Sequence, residues 1–559
     1  MPVTADPPPA SDSAAHARPS VPAELGAEAA EAKRSGGAAK AFAAIKGLAG
    51  LTLLSRVLGF VRDMLMATAL GAGLIADAFF LAWMIPNLFR RLFGDGAFSA
   101  ALVPVFVEAR EAGDHAGAQS LVSGALWRLV TGLGVLVLVL ELGCFALGAE
   151  PGRAFLEANL GADAFTKIAT VLDLLRFLLP YLVLICTAGL LGGALNALDR
   201  FAVPALAPVV FNAVWIAGLL ASGFLFSETL PRVRFLALCL LGGGVIQLLM
   251  HTVAMKRAGV AVQRTWQTDP ERLGRVKSLF FSLAFGLALF QLNALFDGLI
   301  AYAFVPEGGV SSLYYGNRLV QLPIGVLGVA LSTAVFPELA RLAKREDFLG
   351  LGKLLDRGVL LGAFVALPAA AGLAALAGPI VSTLFERGAF DAASAARTAK
   401  IVLCLTPAIV AACVTPVVTR AFYAEEEVKT PVRVGAACVV LNLILNLLLV
   451  GPMGAAGLAL ATSASQTTNL ILQVWLYRKR RVSRGDIPAT LRVFGQGLGY
   501  TALSVVMGLA AWQVERVMPG PAALRLVVAI LSGVVIYAGV CGALKVEPLR
   551  LLLSRGRRP

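Results

Sequence analysis

Seven arginines stand inside stretches otherwise built from large apolar residues: Arg56, Arg62, Arg90, Arg91, Arg128, Arg176 and Arg318. A charge at mid-bilayer costs on the order of 2.5–3.5 kcal/mol even on a lenient insertion scale, so each needs a physical reason. Arg91, Arg128 and Arg176 lie near stretch ends or alone on a face, where snorkelling or a local pair satisfies them. Arg62, Arg90 and Arg318 are harder to satisfy that way. Their neighbourhood offers Asp63 and Asp77, which leaves an excess of guanidinium over carboxylate. Such an excess suits an anionic ligand in a hydrated cavity. Arginine suits a pyrophosphate, because the planar guanidinium makes paired charge-assisted bonds and keeps its proton. Asp63 and Asp77 read as orienters of these arginines or as protonatable switch groups, and ordinary charge pairing explains them equally well.

A second constellation is uncharged except for one acid. Asp297, Asn442 and Asn446 (four apart, on one helix face) and Thr462 are polar groups in apolar stretches. Their oxygens suit a hard monovalent cation, and a plain interhelical hydrogen-bond cluster accounts for them as well. Metal catalysis has no footing. The three histidines (His16, His115, His251) and seven cysteines form no CxxC or HExxH pattern. There is no Walker motif, so no ATP site and no resident cofactor is expected, and membrane potential, or proton or sodium coupling through Asp63 or Asp297, is the expected drive.

The elements that must position these residues follow from composition. Of 559 residues, 58% are hydrophobic and only 15% charged, with a mean hydropathy of +0.80. A soluble domain carries roughly 25% charged residues, so a soluble enzyme is excluded. The apolar runs are long and continuous rather than alternating, which excludes a transmembrane β-barrel. About fourteen helical spans are expected, the first at 47–70 and the last at 522–545. Residues 1–37, rich in Ala, Pro, Ser and Glu, read as a disordered cytoplasmic tail. Spans 1–6 occupy 38–260, spans 7–12 occupy 275–480 and spans 13–14 occupy 491–546. A basic tail closes the chain at 547–559.

Basic clusters at 256–277, 341–346, 477–484 and the C-terminus alternate with loops poor in Lys and Arg. The positive-inside rule then puts both termini in the cytoplasm. The net charge of +14 is therefore mostly a topology signal with attraction to membrane lipids. Nucleic acid is not an expected partner, since no aromatic residues interleave with the clusters. A weak internal repeat matches spans 2 and 8. Each has a mid-span proline (Pro86, Pro323) and a second proline near its exit (Pro104, Pro337). Repeated halves are a common basis for alternating access around a midplane site.

Three segments carry a family resemblance. SRVLGFVRDMLMATALGAGLIADAFFLAWMIPNLFRRLFGDGAFSAALVPVF (Ser55–Phe106), YYGNRLVQLPIGVLGVALSTAVFPELA (Tyr314–Ala340) and AFYAEEEVKTPVRV (Ala421–Val434) closely resemble the MurJ/MviN lipid II flippases. The likeness runs in order over roughly residues 40–545. It implies an all-α polytopic membrane protein of the multidrug/oligosaccharidyl-lipid/polysaccharide exporter superfamily. Two pseudo-symmetric six-helix lobes would flank a central cavity, with two C-terminal helices forming a groove for a polyprenyl tail. It implies movement of lipid II, undecaprenyl-pyrophosphate-linked disaccharide-pentapeptide, across the bacterial inner membrane by alternating access, in contact with the cell-wall synthesis machinery. By position, the family's cavity arginines fall on Arg56, Arg62, Arg90 and Arg318, and its acid on Asp63. Where the family often has Glu in span 2, this chain has Asp95. Some members hold sodium at the Asp297 constellation, with an acid where this chain has Asn446.

The nearest alternative is an exporter of another lipid-linked oligosaccharide with the same fold. A drug exporter should show cavity acids and aromatic residues instead. A membrane glycosyltransferase would need a catalytic acid and larger outer loops. A scaffold would not explain the buried arginines.

Overall fold

A computed structural model describes residues 23–94, 97–486 and 490–549, and among these all regular structure is helical. Only helices and closed barrels satisfy their backbone hydrogen bonds within a bilayer, and long continuous apolar runs suit helices. Helix α1 (Ala23–Leu70) already covers part of the tail expected to be disordered. Its AELGAEAAEAK start is rich in Ala and Glu, strong helix formers that the tail's polar character obscured. Residues 1–22 and the basic tail from 550 onward lie outside the described residues. The chain divides into two units at Leu54/Ser55, the first contributing the 23–54 segment of α1.

In the second unit α2 (Leu74–Phe89) runs through a π-helical turn (Arg90–Gly94) toward α3 (Ala97–Glu111), and together they make one span. Three longer elements, α4 (His115–Gly148), α6 (Ala162–Ala197) and α8 (Thr229–Arg257), join α7 (Ala202–Leu225) and the short α5 (Glu150–Leu160) to complete the N-terminal half. Helix α6 is its spine, touching α2, α3, α4 and α8. The C-terminal half opens with α9 (Pro270–Phe304) and α10 (Gly309–Lys344). It continues through α11 (Phe348–Ala375), the short α12 (Ala377–Phe385), α13 (Ala392–Ala424), α14 (Lys429–Met453) and α15 (Ala455–Ser483). Here α13 is the spine, packed on α10, α11 and α15. Helices α16 (Thr490–Val517) and α17 (Ala522–Ala543) dock on α11, where Phe364 meets Tyr500 and Tyr537 edge-on or tilted, and Tyr537 OH donates to the Phe364 carbonyl at 2.9 Å.

These long elements fall where the sequence places its spans. Ten of them, among the described residues, are long and apolar enough to cross a membrane by length and composition. Start signals are local. Asp114, Asp269, Asp347 and Asp391 each accept a backbone N–H in the first turn of α4, α9, α11 and α13.

Helix α9 ties the halves together by packing on both α3 and α14. Ion pairs reinforce its start: Arg272 to Asp114 at 2.6 Å and Arg275 to Glu108 at 2.9 Å. The Arg272 hydrogen bond, helped by the Gly117 N–H, holds the Asp114 carboxyl below the usual range. The preceding linker is pinned onto α4 by Trp127, donating to the Gln263 carbonyl, and by Arg128, donating to the Trp266 carbonyl. Arg128 and Arg176, the latter 3.7 Å from Glu141, are thus satisfied locally. The basic cluster at 477–484 is not simply a lipid-facing patch. Arg480 and Arg484 pair with Glu425, while Arg481 is buried between Asp356 and Asp486.

Candidate functional site

The two halves enclose a cavity of about 2000 Å³. Among the described residues its wall carries six arginines (56, 62, 90, 91, 318 and 420) against two carboxylates, Asp63 and Asp297. The charge excess expected from sequence is therefore a property of one space. The four candidate arginines all face it.

At its centre Arg62 and Asp63 sit on α1 with both side chains buried. Arg62 pairs with Asp63 at 2.7 Å, donates to Asn212 Oδ1 of α7 at 3.0 Å and lies 4.3 Å from the Trp215 ring centroid. Tyr314 of α10 closes the network. Its hydroxyl donates to Asp63 Oδ1 at 3.0 Å and accepts from Arg62 at 3.3 Å and Arg318 at 2.9 Å. Arg318 Nε also lies 2.9 Å from Asp63 Oδ2, a charge contact whose angle is too poor for a hydrogen bond. One carboxylate thus stands between arginines of opposite halves, Arg62 and Arg318. A 4.0 Å stack of Tyr314 on Phe80 fixes the ring that links them.

Arg90 opens the π-helical turn and bonds Asn87 at 3.1 Å, one turn earlier. Both Arg90 and Arg91 lie in this π-helical turn and both line the cavity, in keeping with the frequent place of such turns at functional sites. Arg91, expected to be satisfied at a span end, instead reaches Gln291 of α9 at 3.2 Å and lines the cavity. Arg56 is exposed to the cavity, with its guanidinium against Gly325 of α10.

Asp77 does not orient an arginine. It lies at the end of α2 away from Arg90 and is absent from the cavity wall. Its Oδ2 accepts the Gly308 N–H at 2.7 Å, and its Oδ1 accepts the Ser311 N–H at 2.7 Å and Ser311 Oγ at 2.6 Å. It therefore caps α10 from the other half, a position where the helix dipole favours an anion. At the same end a second bond joins the halves, Ala389 N–H to the Thr68 carbonyl at 2.8 Å. Gly71, at φ +63°, leaves no room for a Cβ against the Ala389 carbonyl. Asp95 lies outside the described residues.

The Asp297 constellation is assembled from three helices. Asn446 donates to Asp297 Oδ1 at 2.6 Å and Thr462 to Oδ2 at 3.3 Å. Turned over, the Asn442 amide would donate to the same carboxylate at 3.1 Å. Asn446 Oδ1 is buried without a partner, so an acceptor oxygen is left over beside the carboxylate. As arranged, the carboxylate is satisfied by hydrogen-bond donors from neighbouring helices, while the side-chain oxygens of Asp297, Asn442, Asn446 and Thr462 are of the type that a hard monovalent cation takes. Sequence reasoning missed Asn212, Tyr314 and Arg420. Arg420 alone had a visible signal, a charge within the apolar run at 394–422.

An all-helical, multi-pass fold whose two halves meet around a basic cavity and are bonded to each other beside Asp77 is that of a polytopic membrane transporter. Residues 66–532 match the family Lipid II flippase MurJ, and the chain belongs to that family. It is 35% identical to the probable lipid II flippase MurJ of Vibrio cholerae, over 77% of this chain and 81% of that one. It is 32% identical to its counterpart in Rhizobium meliloti, over 91% and 95%. Among solved structures, a lipid II flippase MurJ in an inward closed conformation superposes with a TM-score of 0.70, at 22% identity over 91% of this chain and 99% of that one. An inward-facing multidrug MATE transporter of the MOP superfamily gives 0.60, at 15% identity over 77% and 95%. The family is one of transporters rather than enzymes, and the chain is a multi-pass inner-membrane protein.

Proposed function

We propose that the chain carries lipid II from the inner to the outer leaflet, its pyrophosphate held by the cavity arginines. The observation that carries this reading is the shared space of six arginines and two acids, with Arg62 and Arg318 reaching one point from opposite halves. An anion there would take over the role of Asp63 as the bridge between halves. Depleting the chain from its host should make externally accessible lipid II fall while total lipid II rises. Accessible lipid II that stays constant would redirect the substrate assignment, first toward another lipid-linked oligosaccharide.

Both termini are assigned to the cytoplasm, supported by the basic clusters at 256–277, 341–346 and 477–484. The end bonded at Asp77 then faces outward and the arginines are reached from the cytoplasm. The headgroup enters the cavity while the polyprenyl tail stays in lipid along α16 and α17, whose exposed faces are Leu- and Val-rich. Rocking of the halves must break the Asp77 cap and the Thr68–Ala389 bond to release the headgroup outside. Contact with other cell-wall enzymes belongs to the same proposal.

Asp297, Asn442, Asn446 and Thr462 would hold sodium. A bound cation supplies charge compensation for Asp297 and cross-links α9, α14 and α15. Sodium chloride should then raise the melting temperature of the wild type by several degrees over choline chloride, and that of Asp297→Ala not at all. Equal shifts in both would reduce the cluster to interhelical hydrogen bonds.

A further inference from the structure

The cavity wall of the C-terminal half carries a strip whose chemistry differs from that of the arginines. On α15 Gln466, Asn469 and Gln473 line the cavity, three and four residues apart on one helix face. The opposite face of α15 is apolar, with Ile471 and Trp475 exposed and outside the cavity wall. Thr415 and Thr419, four apart on α13, line the same cavity, and α13 packs on α15. All five side chains are uncharged.

The strip is built from its buried side outward. Gln473, only 2% exposed, accepts from Thr419 Oγ1 at 2.8 Å and donates to Asn469 Oδ1 at 2.9 Å. This ties the two helices together and holds the Asn469 amide by one end. The other end, Nδ2, has no hydrogen-bond partner among the described residues, yet it is not buried. Gln466 is half-buried in the wall, and neither of its amide atoms is buried or bonded among the described residues. An interhelical hydrogen-bond cluster accounts for Thr419, Gln473 and one end of Asn469. It does not account for Gln466. A polar group that no neighbour satisfies is costly in a membrane span unless water or a ligand meets it, and such residues mark substrate paths.

Amides and hydroxyls both give and accept hydrogen bonds without carrying charge. They match sugar hydroxyls and secondary amides better than a phosphate, which the arginines suit, or a cation, which suits the oxygens around Asp297. Along α15 the strip lies between Thr462 of the Asp297 cluster and the basic cluster at 477–484. From Gln466 to Gln473 it runs about 10 Å by helical rise.

We propose that this strip is the subsite for the neutral part of the headgroup. Its Gln466 and Asn469 amides bond sugar hydroxyls and secondary amides while the arginines hold the pyrophosphate, and Gln473 and Thr419 position Asn469. The assignment rests on the lipid II reading.

The test measures binding of three lipids to the purified full-length chain: lipid II, the same lipid without its peptide, and undecaprenyl pyrophosphate, which lacks sugars and peptide. Gln466→Met keeps the length of the side chain but removes the amide. It should weaken lipid II binding about fivefold, as expected for one lost hydrogen bond, and leave undecaprenyl pyrophosphate binding unchanged. Adding Asn469→Leu should deepen the loss to roughly 25-fold. Unchanged undecaprenyl pyrophosphate binding also shows that each variant is folded. A loss shared by the peptide-free lipid assigns the strip to the sugars, and a loss confined to lipid II assigns it to the peptide amides. Equal losses for all three lipids, or no loss for lipid II, would overturn the subsite. A wild-type chain that binds lipid II no better than phosphatidylglycerol would overturn the lipid II reading itself.

Discussion

Arg318→Ala should abolish growth of a strain that depends on this chain for lipid II export, with the protein still inserted at normal abundance. Arg318 is the C-terminal half's contribution to the central network, touching both Tyr314 and Asp63. Removing it leaves Asp63 paired with Arg62 alone and removes the guanidinium that would meet a pyrophosphate from that half. Charge-assisted bonds of this kind are about twice as strong as neutral ones, and an alanine replaces none of them. Arg318→Lys should fail nearly as badly, because an ammonium cannot contact the tyrosine hydroxyl and a second oxygen in one plane. Membrane abundance on an immunoblot separates lost function from lost folding. Full growth of the alanine variant at normal abundance would remove Arg318 from the site.

Asp77→Ala should shift the chain out of the conformation described above. Three donors of the α10 start converge on this one carboxylate from the opposite half. Hydrogen bonds to a charged group contribute roughly 1.5–3 kcal/mol each, and alternate conformers commonly differ by only a few kcal/mol. Losing the set is therefore enough to change which conformer dominates. Spin labels at Ala72 and Arg387, beside the Gly71–Ala389 contact, should report a longer distance in Asp77→Ala than in an otherwise wild-type background. Asp77→Asn, which keeps one acceptor oxygen, should fall between. Unchanged distances would mean that the cap is not what holds the halves together here.

The two residues differ in how far the sequence exposes them. Arg318 is legible because its cost in an apolar run is an elementary quantity, and the same logic finds Arg62 and Arg90, whereas Arg56 is assigned to the cavity only by the family resemblance. The spans are legible for the same reason, since long apolar runs leave few alternatives to helices. Asp77 is legible only as a charge. Its role as a cap depends on which helix start lies opposite it, and Gly308 is 231 residues away in the chain. The partners of Arg62 are hidden likewise: Asn212 and Tyr314 come from 150 and 252 residues away. Arg91 reads from sequence as easily satisfied near a span end, by snorkelling or a local pair. The π-helical turn that holds it beside the cavity has no reliable signature in local composition.

The central claim is that an arginine-lined cavity moves lipid II between leaflets, and purified protein in vesicles tests it most directly. Lipid II confined to the inner leaflet should become available to a membrane-impermeant headgroup probe outside when the wild-type chain is present. Vesicles carrying Arg318→Ala should stay at the level of protein-free vesicles. Equal rates for wild type, variant and protein-free vesicles, at matched reconstitution and under an imposed membrane potential and sodium gradient, would contradict it.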